Sequence, residues 1–455
     1  MNRRALSAVT AIVLIVLLFN GCSLRFASMD KLMHPPKLTG DNYQLQEAFE
    51  KAVGSDVVLK TPVKGSYQSA FVVCDADDDG GEEAFVFYVK ESDASVVRMN
   101  VLDKVDGKWF SVTDMKGNGN GVYSVEFYDL NGDTVPEMLV GWSLYGSKVN
   151  RILTIYECAA WEDGSLGVEV LANEYYNEMA FVDVDFDGSS ELFLVRFDDS
   201  GQIPQVFGSV YGMQKDLVSL IGEIKLDTNM SSVYSINTDF FSGDGKSMTR
   251  IFIDGIRSDT MVFTEVLTFD TVSASLMRLV ENASQQTFRN MRVASRDIDG
   301  DGLLEIPMLS EMPGSSLKNE SELSVGSISL VEWKSLGLSG RLSVRKRTVA
   351  NGSGLYMLEI PAKWLGSVTV SESSVNHDMS VMQYDSKNAA EGDVLFVISA
   401  VYDRTSSAET SDFTGNSISL SSESGDKYVF EVAVTDSGKA FGITEEQIRE
   451  LIKVN

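Results

Sequence analysis

The chain has 455 residues, 44% of them hydrophobic, with 66 acidic against 38 basic side chains and a formal net charge of −28. This apolar content is enough for a large core and excludes a disordered chain, while the acidic excess repels nucleic acid and anionic lipid headgroups. Three cysteines and two histidines supply no disulfide framework and make a zinc or copper centre an unsuitable reading.

Residues 1–22 read as a targeting segment, with Arg3 and Arg4 before the apolar run Ala5–Phe19. The run is shorter than the roughly 20 residues that span a bilayer. Leu18-Phe19-Asn20-Gly21-Cys22 resembles a bacterial lipobox. That resemblance implies lipidation of Cys22 and an extracytoplasmic protein anchored to the cell membrane. Residues 23–65 form a tether with the Pro35-Pro36 pair, a short helix and a strand. The helix is predicted over Asn42–Val53, where Leu45, Ala48, Phe49 and Ala52 share a face and Asp41 is the N-cap. The strand Val57–Leu59 is expected to act as a clasp, completing the first or last sheet of the region that follows.

From residue 66 to 345 a nine-residue acidic loop recurs. Its copies place Asp75, Asp77, Asp79 and Glu83; Asp129, Asn131, Asp133 and Glu137; Asp183, Asp185, Asp187 and Glu191; and Asp297, Asp299, Asp301 and Glu305 at the first, third, fifth and ninth positions. The first three copies start 54 residues apart, and the fourth follows after 114, two periods of 57. Alternate carboxylates in a tight turn converge their oxygens on one point, which suits calcium with its six to eight oxygen ligands better than magnesium with its strict octahedron. Without a cation, two such charges about 4 Å apart repel by roughly 4 kcal/mol at an effective dielectric near 20. Glycine at the sixth position (Gly80, Gly188, Gly302) allows a positive φ. Thr134 stands there in the second copy, with Gly132 two places earlier, so that turn is expected to differ.

Each loop lies between apolar runs with strand character, such as Phe71-Val72-Val73 and Ala84-Phe85-Val86-Phe87 around the first, or Met291 to Ala294 and Ile306 to Leu309 around the fourth. Two further strands per repeat, for example Arg98–Leu102 and Trp109–Val112 about the Asp106-Gly107 hairpin signal, make four strands per period, as in a propeller blade. Asn237 to Gly245, followed by Ile251-Phe252-Ile253, reads as a fifth copy that kept its strands and lost its cation site. The fold class expected is therefore mainly β: a calcium-binding β-propeller of about five blades, with a smaller C-terminal α/β domain. Cys74, at the end of a strand, reads as a packing residue; Cys158 is the other cysteine of the mature chain.

The loops and their strands resemble the FG-GAP/VCBS repeats of integrin-like β-propellers over residues 66–345. Pro35 to Gly40 and Pro62 to Phe71, together with the first loop, resemble repeat-bearing lipoproteins of Gram-positive anaerobes. The resemblance implies about four structural calcium ions held at blade hairpins and does not imply an activity.

After residue 346 the period is lost. Tyr356 to Trp364 opens a new pattern, further strands follow, a serine-rich stretch spans Ser406–Ser424, and Thr444 with Gln447 reads as a capping box for a closing helix over Glu445–Lys453. Ile360-Pro361-Ala362-Lys363-Trp364 and Leu395-Phe396-Val397-Ile398 resemble small α/β-sandwich domains of the Mog1/PsbP type, which implies binding. No nucleophile elbow, His-Glu-x-x-His or phosphate loop is present, and His34 and His377 read as solvent-exposed. The expected function is a binding or scaffold module of the cell envelope and not an enzyme, with an envelope protein or polysaccharide as ligand. The alternative is a surface enzyme or carbohydrate-binding protein acting on polysaccharide, for which Trp142, Tyr145, Trp161, Tyr175 and Tyr176 supply aromatic faces unless they pack between blades.

Overall fold

The computed structural model describes residues 41–454, apart from 147–149, 161–165, 244, 259, 315–327, 352–353, 374–376, 402–415 and 422–426. The signal segment, Cys22, His34 and most of the tether, with Trp161 and much of the serine-rich stretch, lie outside them. Among the described residues no helix is long and apolar enough to cross a membrane.

The fold is mainly β, in successive antiparallel sheets, none of them closed into a barrel. Helix α1 spans Asp41–Val53 and begins at the predicted N-cap. The first sheet holds β1 (Val57–Leu59), β2 (Phe71–Cys74), β3 (Glu83–Lys90), β4 (Asp93–Val105) and β5 (Lys108–Lys116). Strand β1 pairs with β3 beyond the end of β2, so it extends the first sheet and does not clasp two ends of the chain together. Asp106 and Gly107, both at positive φ, turn the β4–β5 hairpin.

The second sheet runs β6 (Gly121–Tyr128), β7 (Glu137–Ser143), β8 (Arg151–Ala160) and β9 (Leu166–Tyr176). The third runs β10 (Glu178–Val182), β11 (Glu191–Asp198), β12 (Gln205–Gln214) and β13 (Leu217–Lys225). The fourth has β14 (Ser232–Gly243), β15 (Lys246–Ser258), β16 (Met261–Asp270) and β17 (Ser275–Arg278), followed by the single-turn helix α2 (Ala283–Gln286). The fifth joins β18 (Glu305–Glu311), β19 (Ser329–Leu336), β20 (Leu342–Ala350) and β21 (Tyr356–Glu359). A C-terminal sheet has β22 (Val368–Glu372), β23 (Met379–Asp385), β24 (Ala390–Val401), β25 (Asn416–Ser421) and β26 (Lys427–Val434), with helices α3 (Asp436–Ala440) and α4 (Glu445–Leu451). Thr444 and Gln447 close the capping box on α4. The last strand, β27 (Ile452–Val454), returns to pair with β21. The expected boundary after residue 345 falls inside β20.

Strand alternation explains how these sheets stack, since successive side chains take opposite faces. In β3, Phe85, Phe87 and Val89 face the second sheet's Met138, Val140 and Trp142. Leu139 on the far side of β7 joins Leu192 and Leu194 of the third sheet. Phe193 and Val195 then meet Ile251, Phe252 and Phe263 of the fourth, in a core that also takes Ile306 and Leu336 of the fifth. Each sheet thus shares a core with the next. The outer face of the first sheet, with Ala84, Val86, Tyr88 and Leu102, lies under Leu45 and Phe49 of α1. Val331 and Trp333 of the fifth sheet lie under Met291, Val293 and Ile298. Among the described residues no apolar cluster joins the first sheet to the fifth.

The strand expected over Met291–Ala294 is replaced by an irregular segment. Side chains take its backbone groups in place of a ladder: Val293 O accepts from Arg289, Ser295 O from Asn237, and Ser295 N donates to Asp254.

Candidate metal sites

All four acidic loops fold alike: the first three join β2 to β3, β6 to β7 and β10 to β11, and the fourth leads from the irregular segment into β18. The ninth-position glutamate turns back so that its Oε2 accepts from the second-position N–H, at 2.6 Å from Ala76, 2.8 Å from Leu130, 2.8 Å from Val184 and 3.2 Å from Ile298. The first aspartate accepts from the sixth-position N–H of Gly80, Thr134, Gly188 or Gly302. The fifth-position aspartate accepts from the seventh-position N–H of Gly81, Val135, Ser189 or Leu303. Backbone N–H groups thus take one oxygen of each closing glutamate and fifth-position aspartate, and both oxygens of Asp129, Asp183 and Asp297. Oxygens of Asp75, Asp77 and Glu83, of Asp183, Asp185 and Glu191, and of Asp297, Asp299 and Asp301 lie within 4.8 Å of one another. Asn131 tempers the charge of the second loop, where its amide donates to Asp133 at 3.1 Å and Glu137 at 3.3 Å.

Each loop carries two residues at positive φ, the fourth (Asp78, Gly132, Phe186, Gly300) and the sixth (Gly80, Thr134, Gly188, Gly302). The second turn does not differ, contrary to expectation: Thr134 takes φ 81 beside 85 and 95 for Gly80 and Gly188. The two hydrogen bonds to Asp129 and Asp133 hold it there. A β-branched residue in this region costs on the order of 1–3 kcal/mol. Thr134→Gly is therefore expected to raise unfolding stability by about 1 kcal/mol after glycine's own entropic cost. A denaturant midpoint that fell or stayed put would contradict this.

The closing glutamates are buried, and burial with the neighbouring aspartates pushes Glu83, Glu137, Glu191 and Glu305 up to about 7. Asp299 Oδ1 and Glu305 Oε1 are buried with no hydrogen-bond partner. Acceptor atoms left bare in this way fit a hard cation, whose field would return the carboxylates to their charged form.

The degenerate fifth copy has no loop. Strand β14 runs through it and pairs with β15 without a break around Asp239. Asp239 is buried against Arg250, whose Nε donates at 2.7 Å and whose Nη2 makes a second bond. The guanidinium takes the place of a cation. Asp239 Oδ2 also accepts from Leu304 N at 2.7 Å, so this sheet braces the fourth loop. Sequence reasoning passed over Arg250, because nothing in the spacing of Asp239 and Arg250 marks them as partners until the hairpin register sets them opposite each other.

Among the aromatic candidates, Trp142 and Tyr176 are buried between sheets, while Tyr145 and Tyr175 are exposed. Both exposed rings lie at the end of the second sheet where Ser143 pairs with Arg151, away from the acidic loop. Cys74 and Cys158 are free thiols in the core between the first two sheets; burial pushes Cys74 up to about 12. His377 is exposed, its Nδ1 2.9 Å from Glu372.

No family model matches the sequence, and no curated protein matches it. Solved structures similar to the chain include the exotype rhamnogalacturonan lyase YesX (9% identity, TM-score 0.28, covering 82% of this chain and 90% of that one). They also include the rhamnogalacturonan lyase YesW (12%, 0.26, 73% of each chain) and the Bacillus licheniformis rhamnogalacturonan lyase PL11 (10%, 0.28, 82% and 91%). Likenesses this slight carry no argument about a reaction. The expectation of a non-enzyme is withdrawn and nothing is put in its place: the structures this chain is similar to are lyases by name, and that activity is said of them alone.

Proposed function

We propose that the chain is an extracytoplasmic, lipid-anchored protein of the FG-GAP/VCBS kind, built from propeller-type blades whose hairpins are locked by calcium. The observation that carries the calcium reading is the single hydrogen-bond pattern repeated in four loops, with acidic oxygens gathered in the first, third and fourth and two of them buried without a partner in the fourth. The five sheets are its blades. Their row ends in α1 and in the segment before the fourth loop, in place of a closed ring. Calcium is structural here: Asp75, Asp77, Asp79 and Glu83, with their counterparts in the other loops, would hold it, and its positive charge would let a tight turn keep four oxygen donors. Calorimetry of calcium chloride into the chelator-stripped full chain tests this, with about four sites expected; no heat and no bound calcium would sink it.

The ligand class we favour is polysaccharide of the cell envelope. Its support is the pair of exposed rings, Tyr145 and Tyr175, at one end of the second sheet, since flat aromatic faces suit sugar rings. A glycan array combined with turnover assays on the same polysaccharides separates binding from catalysis. Tyr145→Ala and Tyr175→Ala are expected to weaken retention, and unchanged retention in both would remove this reading.

A further inference from the structure

The four loop-bearing sheets share a second device. Between β4 and β5, β8 and β9, β12 and β13, and β19 and β20, each has a β-bulge, placed next to the partner of the residue that follows the closing glutamate. The extra residue is Val112, Leu171 or Ile221 in the first three sheets, each packed into an inter-sheet core. In the fifth sheet it is Arg345. The fourth sheet, which has no acidic loop, has no bulge between β16 and β17. A bulge re-aims the side chain it carries, and here it aims a guanidinium at the loop. Arg345 lies 2.8 Å from Asp301 and 3.2 Å from Asp299, its side chain about half exposed.

We propose that Arg345 is a tethered counter-cation that holds the fourth loop in the calcium-free protein and has to leave it before calcium enters. The inference rests on the calcium reading of the loops and adds a chain-specific control to one of them. Asp299 and Asp301 cannot serve a guanidinium and a divalent ion together without like-charge repulsion between the two cations. A half-exposed pair of this kind contributes modestly, so the fourth site is weakened and not abolished. The chain can spare Arg345 structurally, since apolar residues fill the same bulge elsewhere.

The test is calorimetric titration of calcium chloride into the stripped full chain, as wild type, Arg345→Leu and Arg345→Gln. Both variants are expected to tighten one site by roughly two- to fivefold. Adding Asp297→Asn to either is expected to remove the tightened site. In chelator, Arg345→Leu should melt below wild type, because the loop has lost its internal cation. If four sites titrate but neither variant changes any of them, or if the tightened site survives Asp297→Asn, the role of Arg345 is overturned while the calcium reading stands. If no site binds calcium in any of the proteins, both are overturned.

Discussion

Stripping the protein with EDTA at about pH 7.5 is expected to lower its melting temperature by roughly 5–15 °C, with recovery on adding calcium. At millimolar calcium and dissociation constants of about 0.1–1 mM, each loop gains roughly 0.4–1.4 kcal/mol, and four of them approach the stability of an ordinary domain. The pH dependence carries a sign that distinguishes this from a nonspecific salt effect. In chelator, the glutamates raised to about 7 keep protons in the folded state that the unfolded chain has already released. The folded state therefore binds more protons between their ordinary value, about 4.3, and 7, and the stripped protein loses stability as pH rises through that window. With calcium bound the same carboxylates are held charged, and stability is lost as pH falls through the window instead. Melting curves at about pH 5 and 7.5, with and without calcium, should therefore cross over. Parallel shifts, or none on chelation, would refute the role given to the loops.

Removing Arg289 is expected to cost about 3–5 kcal/mol, the usual penalty for leaving a buried charge without its partner. Asp254 and Arg289 are fully buried, with Nη2 2.7 Å from Oδ1. Asp254 also accepts from Thr264 and Ser235 hydroxyls and from both the N–H and hydroxyl of Ser295. Arg289 donates on to Val293 O and Thr264 Oγ1 and forms a backbone bridge with Val262. The pair therefore fastens the irregular segment that leads into the fourth loop onto the fourth sheet. Arg289→Met should lower the denaturation midpoint sharply, and Asp254→Asn added to it should restore much of the loss. A single variant within about 1 kcal/mol of wild type would show that the pair carries no such role.

The periodic features were legible from sequence. Short continuous apolar runs located β3, β7 and β11, the acids located the loops, and Thr444 with Gln447 located the start of α4. Whatever depended on a partner far along the chain was not. Nothing near Thr134 shows that Asp129 and Asp133 will hold it at positive φ, and nothing near Arg345 shows that a bulge will deliver it to acids 44 and 46 residues away. The missing strand over Met291–Ala294 failed for the same reason: its apolar pattern is sound, but Asp254, Arg289 and Asn237 take backbone groups that a neighbouring strand would have needed. Ring closure was inferred from repeat count alone, and the count does not say what covers the outermost faces.

Helix α1 is a stopper. Leu45 and Phe49 shield a dry surface of the first sheet that has the same character as the surfaces by which its neighbours adhere. A chain shortened past Val53 would lay that surface bare at one end only, since Met291, Val293 and Ile298 still cover the other, so two copies would meet face to face and stop at a pair.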